Sequence, residues 1–172
     1  MLGKMRVETP EIIELGNPIL RRKCHSVKSA VSSEFQQSIT KMMSAITVHR
    51  GLGIAAPQVG ISERFFIMVP DSEPFVIINP RLLDKSSTRV KDWEGCLSIP
   101  GIRGKVPRYK SIVVEFMTTD GETVKAELKG WPARIFQHEL DHLDGIVFLD
   151  RLESTRDVIT EREYSKLFNK KG

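Results

Sequence analysis

Near its C-terminus the chain reads Gln137-His138-Glu139-Leu140-Asp141-His142, an H-E-x-x-H motif. On a helix, residues four apart project from the same face, so His138 and His142 can bind one metal ion. Glu139 then lies beside the first ligand, where a carboxylate can exchange protons with a water molecule that the metal activates. The simpler alternative is a pair of solvated helix histidines. Catalytic zinc-type sites use three protein ligands and keep one position for water, so the interpretation depends on a third ligand.

The residues around the motif predict the helix that carries it. Gly130-Trp131-Pro132 opens this helix, because proline is tolerated in the first turn. Ile135, Leu140 and Leu143 supply its apolar packing. We therefore expect a helix that buries one side and presents the two histidines together.

Residues 64–118 favour β-strands. Runs rich in β-branched and aromatic residues occur at 64–69, 75–78 and 112–116. Asp120-Gly121 predicts a hairpin turn, after which apolar residues alternate through 124–128. Prolines punctuate these runs, at Pro70, Pro74, Pro80, Pro100 and Pro107.

Two further helices flank the strands. Ser33 with Gln36 resembles a capping box, and the apolar periodicity that follows predicts a helix ending near Gly51. Thr160 with Glu163 predicts the start of a short C-terminal helix. This order indicates an α+β fold, with residues 1–172 as a single domain. We expect small antiparallel sheets packed around a central helix that carries the H-E-x-x-H motif.

Composition excludes several classes of protein. The net charge of +4 is spread over interleaved acidic and basic residues, which favours a solvated surface over a sequence-specific nucleic-acid groove. No stretch is long enough to cross a membrane, so we expect no membrane partner. The acidic residues and prolines among the first twenty positions fit neither a secretory signal nor a transit peptide. Two cysteines make no disulfide framework, which favours an intracellular thiol or a metal ligand.

The residues leave several candidates for the additional ligand. Glu161 and Glu163 lie some twenty residues downstream, as in zincin-type endopeptidases. Cys96 lies upstream, where Gly95 would allow a close approach to a helix, and its thiolate would be a strong ligand. A lone cysteine is more often a small buried hydrophobe. Cys24 could instead close a structural zinc site of a binding module.

Three separate blocks give the chain a family resemblance. Residues 51–58 read GLGIAAPQ, residues 94–98 read EGCLS and residues 137–142 read QHELDH. In their order and spacing the chain resembles the peptide deformylase family, over most of its length from about residue 10 to 152. The resemblance implies Cys96, His138 and His142 as metal ligands. It also implies one divalent ion, physiologically Fe(II), with Zn, Ni or Co possible in the purified protein.

The resemblance further implies an activity and roles for the site residues. Hydroxide activated by the metal would attack the formyl carbon of N-formyl-methionyl nascent peptides and release formate. Glu139 would act as general acid and base, while the Gln58 side chain and the Leu97 N–H would stabilise the oxyanion. The expected substrate-binding residues are Gly51, Leu52, Gly53, Ile54, Glu94, Gly95, Arg103, Trp131, Arg134 and Ile135.

The chain departs from many bacterial members of the family around the expected pocket. Arg134 and Asp92 replace apolar residues, and the run around Trp131 is closer to the organellar branch. The cellular location would be the cytoplasm, or an organellar matrix if a transit peptide has been removed. Alternative functions are a zincin-type endopeptidase and a deformylase-like enzyme with altered N-acyl specificity. Lys166, Lys170 and Lys171 provide a weak basis for ribosome association.

Overall fold

A computed structural model describes residues 10–168, which form three α-helices and eight β-strands. The helices are α1 (Ser33–His49), α2 (Gly130–Leu143) and α3 (Glu161–Phe168). The strands are β1 (Gly53–Ala55), β2 (Phe65–Met68), β3 (Phe75–Lys85), β4 (Arg89–Cys96), β5 (Ile99–Tyr109), β6 (Ser111–Met117), β7 (Thr123–Lys129) and β8 (Val158–Thr160). Short 3-10 helices lie at Pro18–Arg21, Ala56–Val59, Phe148–Arg151 and Thr155–Asp157.

The strands form two antiparallel sheets. One has the order β1-β2-β3-β6-β7, and the other has the order β4-β5-β8. Helix α2 packs on the larger sheet, where Phe136 meets Phe66 edge to face at 5.1 Å between ring centroids. Such an aromatic pair adds about 0.5–1.5 kcal/mol to the stabilisation from burial. The predicted single-domain α+β fold, with the motif on a central helix, is confirmed.

The first helix begins and ends differently from the prediction. Its N-cap is Ser32, whose hydroxyl accepts a hydrogen bond from the N–H of Phe35. The Gln36 side chain donates to the carbonyl of Ala30, so the predicted capping box from Ser33 does not form. The helix ends at His49, two residues before the expected glycine, because Arg50 takes the left-handed conformation with a φ of 51°.

Pro70 and Pro74 separate β2 from β3 as predicted, but the other three prolines do not interrupt strands. Pro80 lies within β3 at a register shift, and Pro100 and Pro107 lie within β5. Proline cannot donate to a ladder, but it is tolerated at bulges and on unpaired edges. β8 pairs with β5 only along residues 102–104, so Pro107 faces no strand on that side. As a result, β4 and β5 form a long hairpin that the sequence patterns did not predict.

The C-terminal part of the chain follows the prediction more closely. The β6–β7 hairpin turns at Gly121, which has a φ of +84°, and α3 follows Thr160 as expected. The Glu163 N–H donates to the Thr160 hydroxyl. Within residues 10–168, no helix combines the length and apolar character that crossing a bilayer requires.

Gly145, which follows α2, provides a test of how tightly the N-terminal segment packs. It has a φ of +75°, and a Cβ there would lie 2.7 Å from the carbonyl carbon of Arg21. We expect Gly145→Ala to lower the free energy of unfolding more than Gly121→Ala, whose φ is similar but which has open space around it. The left-handed conformation costs about 1–2 kcal/mol in both variants, and the backbone clash adds about 1–3 kcal/mol only at 145. Urea denaturation measures the free energy of unfolding of the two variants. Equal losses of stability in both would contradict the close packing of Gly145 against Arg21.

Candidate metal centre

Three candidate ligands converge where β4 ends against α2. One ligand atom from each of Cys96, His138 and His142 lies within 4.8 Å of the others. The Cys96 Sγ is 3.2 Å from the His142 Nε2. His138 and His142 lie one helical turn apart on α2, with ring centroids 5.1 Å apart. Within residues 10–168, no other His, Cys, Asp or Glu residues form such a group of three.

The competing ligands lie elsewhere. Glu161 accepts a hydrogen bond from the Arg103 Nε at 2.6 Å, and Glu163 pairs with Lys166 at 2.8 Å. Cys24 is buried in the core beneath α2, and burial raises the pKa of its thiol to about 11. None of the three joins the group, so the structure brings Cys96, and not these residues, to the two histidines.

A buried carboxylate orients the first histidine. The Nδ1 of His138 lies 2.9 Å from the Glu94 Oε2, which leaves Nε2 for a metal. Glu94 also accepts hydrogen bonds from the Nε and Nη2 of Arg108, at 2.9 and 3.0 Å. Burial alone would raise the pKa of Glu94, but the bonds from His138 and Arg108 outweigh burial and lower that pKa. Glu94 is therefore a carboxylate that holds the His138 ring.

The donor set fits a divalent cation. One thiolate and two imidazoles suit Zn, Fe, Co or Ni, and three protein ligands leave a position for water. Burial lowers the pKa of His142 well below its usual value, aided by the positive charges of His138 and Arg108, so this ring is neutral and able to bind metal. Burial also opposes the charged form of His138, but hydrogen bonds to Cys96 and Glu94 raise its pKa. A cation would take the place of that proton.

Glu139 lies beside this group in a space that only glycine allows. A Cβ at Gly53 would lie 2.7 Å from the Glu139 Cδ, so any larger residue at 53 would displace the carboxylate. The Glu139 Oε2 is buried without a hydrogen-bond partner. Burial raises the pKa of Glu139 to about 7; the charge of His138 opposes this rise, and that of Glu94 adds to it. A carboxyl with such a pKa can both accept and donate a proton near neutrality.

Gln58 is held with its amide nitrogen toward the same centre. Its Oε1 accepts a hydrogen bond from the Ala55 N–H at 2.8 Å, which fixes the orientation of the amide. Its Nε2 lies 3.4 Å from the Cys96 Sγ and 3.2 Å from the Ser98 Oγ. Ser98 was not predicted as a site residue, although it ends the EGCLS block.

Two of the candidate ligands, Cys96 and His138, border a cleft of about 360 Å³. The predicted site residues that line it are Gly51, Leu52, Gly53, Gln58, Glu94, Gly95, Cys96, Leu97, Arg103, Trp131, Arg134, Ile135, His138 and Glu139. Residues that the sequence analysis did not assign to the cleft are His49, Arg50, Trp93, Ile99, Gly101, Ile102 and Glu161. Most of these residues lie close in sequence to Gly51 or Cys96, and this closeness could have indicated that they line the cleft.

One predicted substrate contact needs correction, and a second, Arg134, has partners in the protein that the sequence did not indicate. Ile54 is fully buried in the core with α1 and does not line the cleft, because successive strand residues point to opposite faces. Arg134 borders the cleft, but its buried guanidinium donates to Glu94 and to the carbonyls of Val90 and Val106, at 2.6–2.9 Å. Arg134 therefore supports Glu94 and the β4–β5 hairpin, and its predicted contact with a substrate stays a prediction.

Comparisons with known proteins agree with this geometry. The polypeptide deformylase family model matches residues 9–158. Peptide deformylase 2 of Nostoc sp. is 44% identical, over 96% of this chain and 98% of the relative. The crystal structure of peptide deformylase from Thermotoga maritima superposes with a TM-score of 0.80 at 40% identity, covering 83% of this chain and 97% of the other.

Two ligand-bound structures are also similar. The Synechococcus elongatus peptide deformylase in complex with actinonin has a TM-score of 0.83 at 32% identity, covering 91% of this chain and 87% of that one. The Met-ala-ser bound peptide deformylase from Acinetobacter baumannii has a TM-score of 0.78 at 37% identity, covering 82% and 96% of the two chains. With the family model matched over most of its length, the chain belongs to the polypeptide deformylase family.

Proposed function

We propose that the chain hydrolyses the formamide of N-formyl-methionyl polypeptides and releases formate, with residues 1–172 acting as one catalytic domain. The observation that carries this proposal is the group Cys96, His138 and His142 beside Glu139 in an open cleft. The Met-ala-ser ligand of the Acinetobacter baumannii relative supports a peptide that begins with methionine.

Binding of the peptide main chain follows from the sheet. β1 is an edge strand of the larger sheet, and residues 51–53 line the cleft. A peptide can add to such an edge through main-chain hydrogen bonds, which tolerate varied side chains. Leu52, Leu97, Trp131 and Ile135 supply apolar surface for the methionine side chain.

Each polar group of the site has one role in formamide hydrolysis. When bound by Cys96, His138 and His142, a divalent cation lowers the pKa of a water molecule and polarises a carbonyl. Glu139 takes a proton from the attacking water and gives it to the leaving amine, as the carbon–nitrogen bond breaks. The Gln58 Nε2 and the Leu97 N–H donate to the formyl oxygen, where negative charge develops.

The cellular setting completes the proposal. The relatives from Nostoc, Thermotoga and Acinetobacter support a bacterial-type cytoplasmic enzyme that acts on nascent chains. Ribosome association stays a prediction: Lys166 pairs with Glu163, while Lys170 and Lys171 lie outside the described residues.

Formate release tests the function directly. We expect the metal-loaded protein to release formate from formyl-Met-Ala-Ser, and to release acetate from the matched acetyl peptide at less than about one tenth of that rate. The Glu139 carboxylate lies so close to Gly53 that a Cβ there would be 2.7 Å from its Cδ, and an extra methyl group in such a closely packed region should slow the reaction by about 10- to 200-fold. Comparable hydrolysis of both peptides would indicate broader N-acyl specificity, and internal cleavage of longer peptides would indicate an endopeptidase.

Glu139→Gln tests the proton-transfer role. The variant keeps the shape of the side chain but cannot carry the proton, so we expect kcat to fall by about 100-fold or more. Metal content and thermal stability should stay near those of the wild type, because Glu139 is not among the candidate ligands. Glu127→Gln, at a carboxylate on β7, is the matched control. If Glu139→Gln turned over at the wild-type rate, the assigned role would be wrong.

Cys96→Ala tests the third ligand and the identity of the metal. Purified without oxygen, the wild type should contain about one iron per chain, and Cys96→Ala should lose most of that metal together with activity. Cys24→Ala should retain both, because Cys24 lies outside the ligand group. Metal analysis of the wild type, Cys96→Ala and Cys24→Ala measures the metal content per chain. Metal retained without Cys96 would favour the zincin alternative, and full activity with zinc alone would count against iron.

A further inference from the structure

The C-terminal helix places a carboxylate at the wall of the cleft. β8 pairs with β5 so that Ile159 lies opposite Arg103, and Glu161 follows two residues later, where its side chain reaches Arg103. The Arg103 Nε donates to the Glu161 Oε2 at 2.6 Å, and both residues line the cleft. Glu161 follows the segment 9–158 that the family model matches.

Arg103 is held in one position by contacts on several sides. Its guanidinium stacks on the ring of Tyr164 in α3, with Cζ 4.3 Å from the ring centroid. It also lies over the backbone of Gly95, where a Cβ would be 3.5 Å from the Arg103 Nη1. Within residues 10–168, Nε is the only atom of this guanidinium that hydrogen-bonds to the protein. Both Nη groups therefore remain available to a peptide in the cleft.

Glu161 sets the charge of this part of the cleft. Among the residues that the structure describes, three carboxylates line the cleft, and two of them, Glu94 and Glu139, are buried. The side chain of Glu161 is 47% exposed, whereas that of Arg103 is 31% exposed. Arg50 also lines the cleft, so two arginines would face a substrate without a compensating charge if Glu161 were neutral.

We infer that Glu161 is a specificity-determining residue, which restrains Arg103 and cancels its charge so that acidic and basic substrate residues are both accepted downstream of the methionine. This inference rests on the proposed function. An enzyme that processes many different nascent chains benefits from such tolerance, because an unbalanced arginine would favour acidic sequences and disfavour basic ones.

A charge series at position 161 tests the inference in the metal-loaded enzyme. The substrates are formyl-Met-Ala-Glu, formyl-Met-Ala-Ser and formyl-Met-Ala-Lys, all amidated at the C-terminus. We expect Glu161→Gln to raise the ratio of kcat/KM for the Glu peptide over the Lys peptide by about threefold or more, chiefly through KM. Glu161→Lys should raise that ratio further. In about 1 M salt, where the screening length is about 3 Å, the shift should largely disappear.

Glu163→Gln is the matched control. Glu163 lies on the same helix but pairs with Lys166 and does not line the cleft, so its variant should keep the wild-type ratio. An unchanged ratio in Glu161→Gln and Glu161→Lys would overturn the inference, as would an equal loss of activity on all three peptides. Absence of formate release from every peptide by the wild type would instead contradict the proposed function, so the two failures are distinguishable.

Discussion

The buried carboxylate of Glu94 is the group on which the rest of the site depends. It accepts hydrogen bonds from Arg108 on β5 and from Arg134 on α2, and it contacts the His138 ring. A buried carboxylate costs several kcal/mol in lost hydration, which is offset only when its lone pairs are satisfied. Because its partners come from different elements, the same carboxylate joins β4, β5 and α2. Removing one partner of such a network costs about 3–5 kcal/mol.

The network continues through a residue that the motif leaves unspecified. Asp141 accepts hydrogen bonds from Arg108 at 2.5 Å and from Arg151 at 2.6 Å. Asp141 lies between the two histidines in sequence, yet its carboxylate meets Arg108 rather than the candidate ligand group. Helix α2 therefore carries two polar sets that Arg108 links. One contains the candidate ligands His138 and His142, and the other connects the helix to β5 and to the 3-10 helix Phe148–Arg151. This second set fixes the rotation of α2, and hence the direction of His138 and His142.

Short sequence patterns predicted the elements that are determined by contacts between residues close together in the chain. The motif helix and the β6–β7 hairpin follow from periodicity and turn residues a few positions apart. The long β4–β5 hairpin has weak alternation and contains two prolines, and its pairing is set by contacts that no short window contains. For a similar reason, the hydrogen-bond partners of Arg134 were not predicted. Nothing near Arg134 in sequence indicates that its partners, Glu94 and the carbonyl of Val90, lie 40 or more residues away.

The third ligand shows why distance along the chain is a poor guide to a metal centre. Glu161 lies 19 residues after His142 and Cys96 lies 42 residues before His138, yet the more distant residue joins the histidines. The small sheet explains both outcomes, since its first strand β4 ends at Cys96 and its last strand β8 leads into Glu161. The β4–β5 hairpin brings Cys96 to α2, whereas pairing of β8 with β5 carries Glu161 to Arg103 at the cleft wall. Strand order in one sheet thus separates a residue of the candidate metal centre from a residue that pairs with Arg103 at the cleft wall.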